Sequence, residues 1–334
     1  MVHHRSIFDE LYKRRRPRTP ERPAHYACDD RGLTLADAWY STPLGAHRLS
    51  DVLPSSAMQA LLQFDPAFIN SSGQYEPVYR IATPVSPAVD AMSRRWQLLD
   101  EIIRHGMRQH SVSAWQQAQL VIYDPLANHA AGAVLDAWLS HWPSAARPQG
   151  GITLTSLPFF EWLAQRLAQA KDTHCHICFV ALEAADPASG ASSPGESTTV
   201  LWLQRWLVDD PRPTQGIELT SPVFSNAPFS TESITALLAQ APASEAWVWD
   251  GHDPSQLTSL LKARAHSEAL GGLEDDAFWS LSRLAGQLHH FDALQVALAA
   301  HASYQKQCKA LALNTFESTQ SGFVHLKPAT ASHP

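Results

Sequence analysis

No apolar run in this sequence approaches the length of a bilayer span. The longest, LVIY from Leu120, ICFVALEAA from Ile177 and VLWL from Val200, stop far short of the roughly 20 residues a spanning helix needs. The opening MVHHRSIFDELYKRRRPRTPERP has basic residues with no apolar stretch behind them, so no secretory signal is read there and a cytoplasmic setting is expected. Cysteine is scarce. Cys28, Cys175, Cys178 and Cys308 are the only four in 334 residues, which excludes a dense disulfide framework and predicts reduced thiols. GGLEDD has neither the lysine nor the spacing of a phosphate loop, and no serine sits in a nucleophile elbow, so no cofactor is expected.

Basic charge is missing from the body of the chain. Of 25 Lys and Arg, seven fall in the first 22 residues, leaving 18 basic against 29 acidic residues beyond them. An acidic body repels a nucleic-acid backbone. The exception is the arm carrying Lys13, Arg14, Arg15, Arg16 and Arg18, which is either a solvated flexible segment or a contact for RNA, anionic lipid or an acidic partner. Pro17, Pro20 and Pro23 oppose a helix there.

What the sequence does contain is an alternation of helix and strand signals. Residues 1–30 form the basic arm, and 31–117 read as a helical or irregular region capping the core, with a short helix at 54–65 and an amphipathic helix over 87–108. An α/β domain follows over 118–328, with 329–334 as a tail. Within it, strands are expected from Ala118, over 150–155, from His174, from Thr198, over 246–250, and at 310–316 and 321–327. Helices are expected from His129, over 158–170, 231–240, 254–269 and 289–306, and the stretch from Asp209 to Pro228 reads as irregular. The strands before and after the polar loop at 186–198 suit an antiparallel pair. The expected class is layered α/β, a mixed sheet with flanking helices.

Several constellations hold residue types that do chemistry. HCHIC offers His174, Cys175, His176 and Cys178, but strand alternation sends Cys175 to the opposite face from the others, so the four cannot close a tetrahedral zinc site and no metal is expected. DGHD places Asp250, His252 and Asp253 either around a polar mouth or in a turn leading into a helix. His289, His290 and Asp292 stand at a helix start, where they either meet an anion or partner carboxylate or simply cap the helix. Trp247 and Trp249 suit core packing or a partner surface equally well.

ITLTSLPFFEWLAQRLAQA leads into HICFVALEA and then TTVLWLQ; VWDGHDPSQ, SRLAGQLHHFDALQVALAAHASYQKQ and ALALNTFESTQSGFVHLKP follow. In element order and residue character, 150–328 resembles a β-ketoacyl synthase or a relative in the thiolase-like superfamily. The resemblance implies a thiolase-like fold, a nucleophilic cysteine opening the helix at 158–170, a histidine beside a glycine after the 246–250 strand, and a lysine and Gly-His pair opening the helix at 289–306. Thr153, Thr155 and Ser156 stand where the cysteine belongs. Gly251 and His252 are in reversed order, Arg283 stands near the lysine, and His289 or His290 is set apart from Gly286. A hydroxyl without a base beside it cannot replace a thiolate.

The expected function is therefore protein binding or assembly on a degenerate ketosynthase scaffold, with a protein partner and a possible homodimer. One such role is cargo adaptor of a bacterial secretion system. Arg283, His289, His290, Trp247 and Trp249 are the candidate binding residues. The alternative is an enzyme acting on an acyl or other small substrate through His252 and His289, with Asp250 in support.

Overall fold

The computed structural model describes residues 32–69, 73–83, 91–123, 140, 142, 144, 147–168, 176–185, 194–206, 215–225, 230–241, 244–250, 257–266, 277–288, 291–314 and 321–329. The basic arm, nearly all of the helix expected from His129, and the end of the tail lie outside these residues.

The chain opens with a hairpin of β1 (Gly32–Thr42) and β2 (Gly45–Arg48), then a separate two-stranded sheet of β3 (Gln63–Ile69) and β4 (Tyr75–Val78). Helices α1 (Ala91–Gln109) and α2 (Val112–Gln117) lead to β5 (Gln119–Tyr123), β6 (Ile152–Thr155), α3 (Phe159–Ala168), β7 (His176–Glu183) and β8 (Ser197–Trp206). After them come β9 (Ile217–Leu219), β10 (Val223–Ser225), α4 (Thr231–Leu238), β11 (Ala246–Trp249) and α5 (Leu257–His266). The last elements are β12 (Phe278–Ser280), α6 (Leu281–Ala285), α7 (Asp292–Lys306), β13 (Ala310–Asn314) and β14 (Ser321–Pro328). No helix among the described residues is long and apolar enough to cross a membrane.

The main sheet is mixed, in the order β12-β11-β13-β14-β9-β1-β8-β7-β5-β6, with β2 beside β1 and β10 beside β14. One pairing pattern is used twice. In the first half β5 lies parallel between β6 and β7, β8 runs antiparallel to β7, and β1 antiparallel to β8. In the second half β11, β12, β13, β14 and β9 repeat those relations. The halves join where Leu33–Leu35 of β1 pairs with Ile217–Leu219 of β9.

Two expectations fail at the N-terminal side. The 31–117 region is not merely a cap, because β1 is a central strand of the sheet, and 118 is therefore no boundary between layers. The strand escapes notice because its alternation is broken: Leu33 and Leu35 face the core, the register then shifts by one residue before Asp37, and Ala38 and Tyr40 resume the same face. No helix forms over 54–65; the chain there runs through a turn into β3. The stretch expected to be irregular before Pro228 supplies β9 and β10, too short to register as periodic patterns.

One face of the sheet wraps α3 and α7, with Leu35, Phe179, Leu201, Val248 and Leu326 in a shared apolar cluster. Helix α7 is buried on every side from Asp292 to Ser303. Its alanines at 293, 297, 299, 300 and 302 let strands from both halves approach closely. Helices α1 and α2 cover the opposite face of the first half, and α4 and α5 that of the second. Trp247 and Trp249 point under α4 and α5, where they are 0% and 2% exposed. They fill the core and offer no partner surface, because this sheet is covered on both faces.

Segments from both halves cross above the central helices. Tyr79 N donates to Pro194 O at 2.9 Å and Gly195 N to Gln287 O at 2.8 Å. A Cβ on Gly195 would sit 1.7 Å from Ala285 O, and one on Gly286, whose φ is +77°, would sit 2.4 Å from the Tyr79 ring. Both positions demand glycine. Beside the crossing, buried Glu196 lies between buried Arg80 and Arg94, fixing α1 to the entry of β8.

Candidate functional site

The starts of α3 and α7 meet here. Pro158 precedes Phe159, the first residue of α3, and Thr155 Oγ1 accepts from Leu157 N at 3.1 Å to turn the chain into it. Asp292 is the first residue of α7. Its Oδ2 accepts from Phe160 N at 2.9 Å and its Oδ1 from Ala293 N at 3.1 Å. A single carboxylate thus sits between the N-termini of both central helices, satisfying free N–H groups on each.

Asp292 is 2% exposed, with Phe159, Phe160, Leu288 and Phe291 buried nearby in the same apolar cluster. Burial pushes its carboxyl up to about 7; donation from Phe160, Ala293 and its own N–H works against this, and Glu161 adds slightly to it. The position that would stabilise a thiolate or an oxyanion is already filled by a carboxyl group of the protein's own.

No described thiol can reach it. Cys178 faces away from α3, in the cluster under α1, and burial pushes its thiol well above the usual range. Cys308 lies beyond the C-terminal end of α7, and burial raises it too, with Glu245 adding to the effect. Thr153 is exposed, and Thr155 and Ser156 are half-buried ahead of α3.

Asp250 is buried at the end of β11, where its carbonyl accepts from Ser282 N at 3.2 Å. Gly251, His252, Asp253, His289 and His290 lie outside the described residues, so the histidine pair of the alternative reading is not placed. The Arg283 side chain is exposed, while its carbonyl accepts from Ala60 N at 2.8 Å. His176 is exposed and Cys178 buried at the start of β7, and His174 and Cys175 lie outside the described residues. Among the described residues no three metal-competent side chains converge.

One buried polar cluster has no signal in the sequence. Tyr40 O–H donates to His301 Nδ1 at 2.8 Å, and His301 Nε2–H donates to Asp51 O at 2.9 Å. The His47 ring stacks at a tilt 5.4 Å from Tyr40. Burial raises the Tyr40 hydroxyl, aided by Asp51, and lowers both imidazoles. The arrangement keeps His301 neutral in one tautomer and ties the β1–β2 hairpin to α7.

No protein-family model matches the sequence, and no curated protein matches it. Solved structures do match over most of the chain. The oxazolomycin ketosynthase domain of Streptomyces albus JA3453 aligns with a TM-score of 0.56 at 10% identity, covering 91% of this chain and 75% of that one. A β-ketoacyl synthase from Burkholderia phymatum STM815 gives 0.52 at 13%, covering 89% and 99%, and the ishigamide ketosynthase/chain length factor 0.50 at 13%, covering the same shares. At these identities the likeness establishes architecture: the chain has the thiolase-like α/β fold of the ketosynthases.

Proposed function

We propose that the protein is a non-catalytic binding or assembly subunit that uses the ketosynthase fold to pair with another protein chain in the cytoplasm. The observation that carries this reading is Asp292, which occupies the α3 N-terminus with a carboxylate and leaves no thiol there. A structural neighbour named as a ketosynthase/chain length factor supports it. So does the end of the main sheet, where β6 is bonded to β5 on one side and keeps its other edge, among the described residues, without a strand. An unpaired edge is a template for a strand from a second chain, whether another copy, a ketosynthase-fold partner or a secreted cargo.

The test uses the full chain. Incubated with acyl-CoA and with acylated carrier protein, it is expected to show no acyl adduct by intact-mass spectrometry and no condensation product. Captured from its native cells, it is expected to bring down one protein in fixed stoichiometry. A covalent acyl adduct, or turnover lost on His252→Ala or His289→Ala, would replace this reading with the enzyme.

A further inference from the structure

The segment from the β1–β2 hairpin to β4 carries most of the apolar surface that the body leaves in water. Nine large apolar side chains stand exposed among the described residues, and six of them, Val52, Met58, Leu61, Leu62, Ile69 and Tyr75, fall in this one stretch. Val52 and Leu61 are 87% and 82% exposed. Single exposed apolar side chains are ordinary, but a concentration of them marks a surface that something covers.

The exposure is built in. Asp51 O accepts from His301 Nε2 at 2.9 Å, Pro54 O accepts from Trp279 Nε1 at 2.8 Å, and Ala60 N donates to Arg283 O at 2.8 Å. These bonds fix the backbone of 51–60 to the second half, with Pro54 and Ala60 buried and Val52 and Met58 turned to solvent. Leu61 and Leu62 then lead into β3, and Ile69 pairs with Tyr75 at the far end of its hairpin with β4, setting those two exposed side chains next to each other.

The N-terminal arm holds a matching segment that the function proposed above leaves unused. Ile7 and Leu11, and Phe8 and Tyr12, are spaced as neighbours on one helix face, directly ahead of Lys13, Arg14, Arg15 and Arg16. The first 22 residues carry seven basic against three acidic residues, and the rest of the chain 18 against 29. Between Leu49 and Tyr79 the sequence has Asp51, Asp65 and Glu76 and no Lys, Arg or His. Charge therefore draws the arm to the body, and its apolar side chains match the surface at 52–75.

The arm is long enough to reach. Arg48, shortly before Val52, lies opposite Trp39 of β1, which is about 23 Å at strand rise from Gly32, where the arm joins the sheet. Residues 13–31 span up to about 60 Å when extended. A tether of that length holds the segment at about millimolar local concentration, so a modest apolar contact keeps it in place.

We propose that residues 7–12 dock on the apolar surface of 52–75 in the same molecule, with the basic run that follows them held against the acidic body. This goes beyond the function proposed above and does not depend on it.

Photocrosslinking of the full chain tests it, with p-benzoylphenylalanine in place of Phe8 and an equal mixture of light and heavy-nitrogen protein to tell crosslinks within a molecule from those between copies. Crosslinks are expected within single molecules, to peptides containing Met58, Leu61 or Tyr75. Leu61→Asp, at a side chain already in solvent and so expected to fold, should cut their yield about tenfold. Leu261→Asp, at an exposed leucine of α5, should leave it unchanged. Crosslinks joining light to heavy chains would give the surface to a second copy and overturn the proposal. So would crosslinks to another part of the body, no crosslinks, a yield indifferent to Leu61→Asp, or an equal loss in Leu261→Asp.

Discussion

Glu196→Gln is expected to remove about 3–5 kcal/mol of folding stability, read as a lower urea midpoint at unchanged slope. Glu196 Oε1 accepts from Arg80 Nη1 and from Arg94 Nε, both at 2.9 Å. Its Oε2 accepts from Arg94 Nη2 at 2.7 Å and from Ile81 N at 2.9 Å. The carboxylate therefore serves four donors, three of them on two fully or nearly buried guanidinium groups. A glutamine amide keeps one acceptor and turns an NH2 toward donors that had an oxygen. Both buried guanidinium groups then lose the carboxylate charge that Glu196 supplied, and this loss in the interior dominates the cost. Replacing all three residues by apolar ones of similar volume is expected to cost far less, which separates the pairing from the packing. A loss under about 1 kcal/mol for the single variant would mean that water reaches the cluster, because only solvation could take over the carboxylate's role.

That cluster was not legible in the sequence, and the reason is general. Arg94 sits on a helix whose pattern reads as amphipathic, where nothing marks one arginine as buried, and its partner is 102 residues away. Strands β7, β8, β11, β13 and β14 were legible because their apolar runs are continuous, as befits a sheet covered on both faces. β1 was not, because its register shift moves the apolar positions from odd to even numbers and erases the period. For α7 the helix was visible but its depth was not: a polar residue every few positions suggests a wet face, yet Gln295 Nε2 donates to Leu313 O at 2.6 Å and Ser303 Oγ to Cys308 O at 2.6 Å, inside the core. The duplicated pairing of the two halves is carried by backbone hydrogen bonds, which tolerate unlike side chains. Asp292 could be read as a local helix cap. That it also caps α3, through Phe160 132 residues earlier, follows only from the crossing of the halves.

Asp292→Ala is expected to cost about 2–4 kcal/mol near pH 6, since it leaves the buried Phe160 N–H without an acceptor, removes a helix cap and opens a void. Asp292→Asn gives a sharper test, because it keeps one carbonyl for Phe160 and cannot titrate. In the wild type the folded-state carboxyl is raised from 3.8 to about 7, so the native state binds this proton more tightly than the unfolded chain. Its contribution is full below about pH 4 and is lost as pH rises through 7. The histidines act in the opposite sense: His325 is lowered to about 4 by burial and by Lys309 and Lys327, and His47 and His301 are lowered as well. They make the fold less stable as pH falls through 6.5 toward 4. Between pH 6.5 and 8 the Asp292 loss is worth about 1 kcal/mol, and the three histidines, still partly protonated in the unfolded chain at pH 6.5, oppose it with a gain of similar size. Chemical denaturation at those two values should therefore show the wild type losing about 1 kcal/mol relative to Asp292→Asn, which shares the histidines and lacks the carboxyl. The difference arises at the carboxyl group that fills the α3 N-terminus, so observing it would identify that buried group as the titrating occupant of the place a catalytic thiolate would need. A stability difference between the two proteins that does not change with pH would assign the titration to another group and remove the argument that the site is already taken.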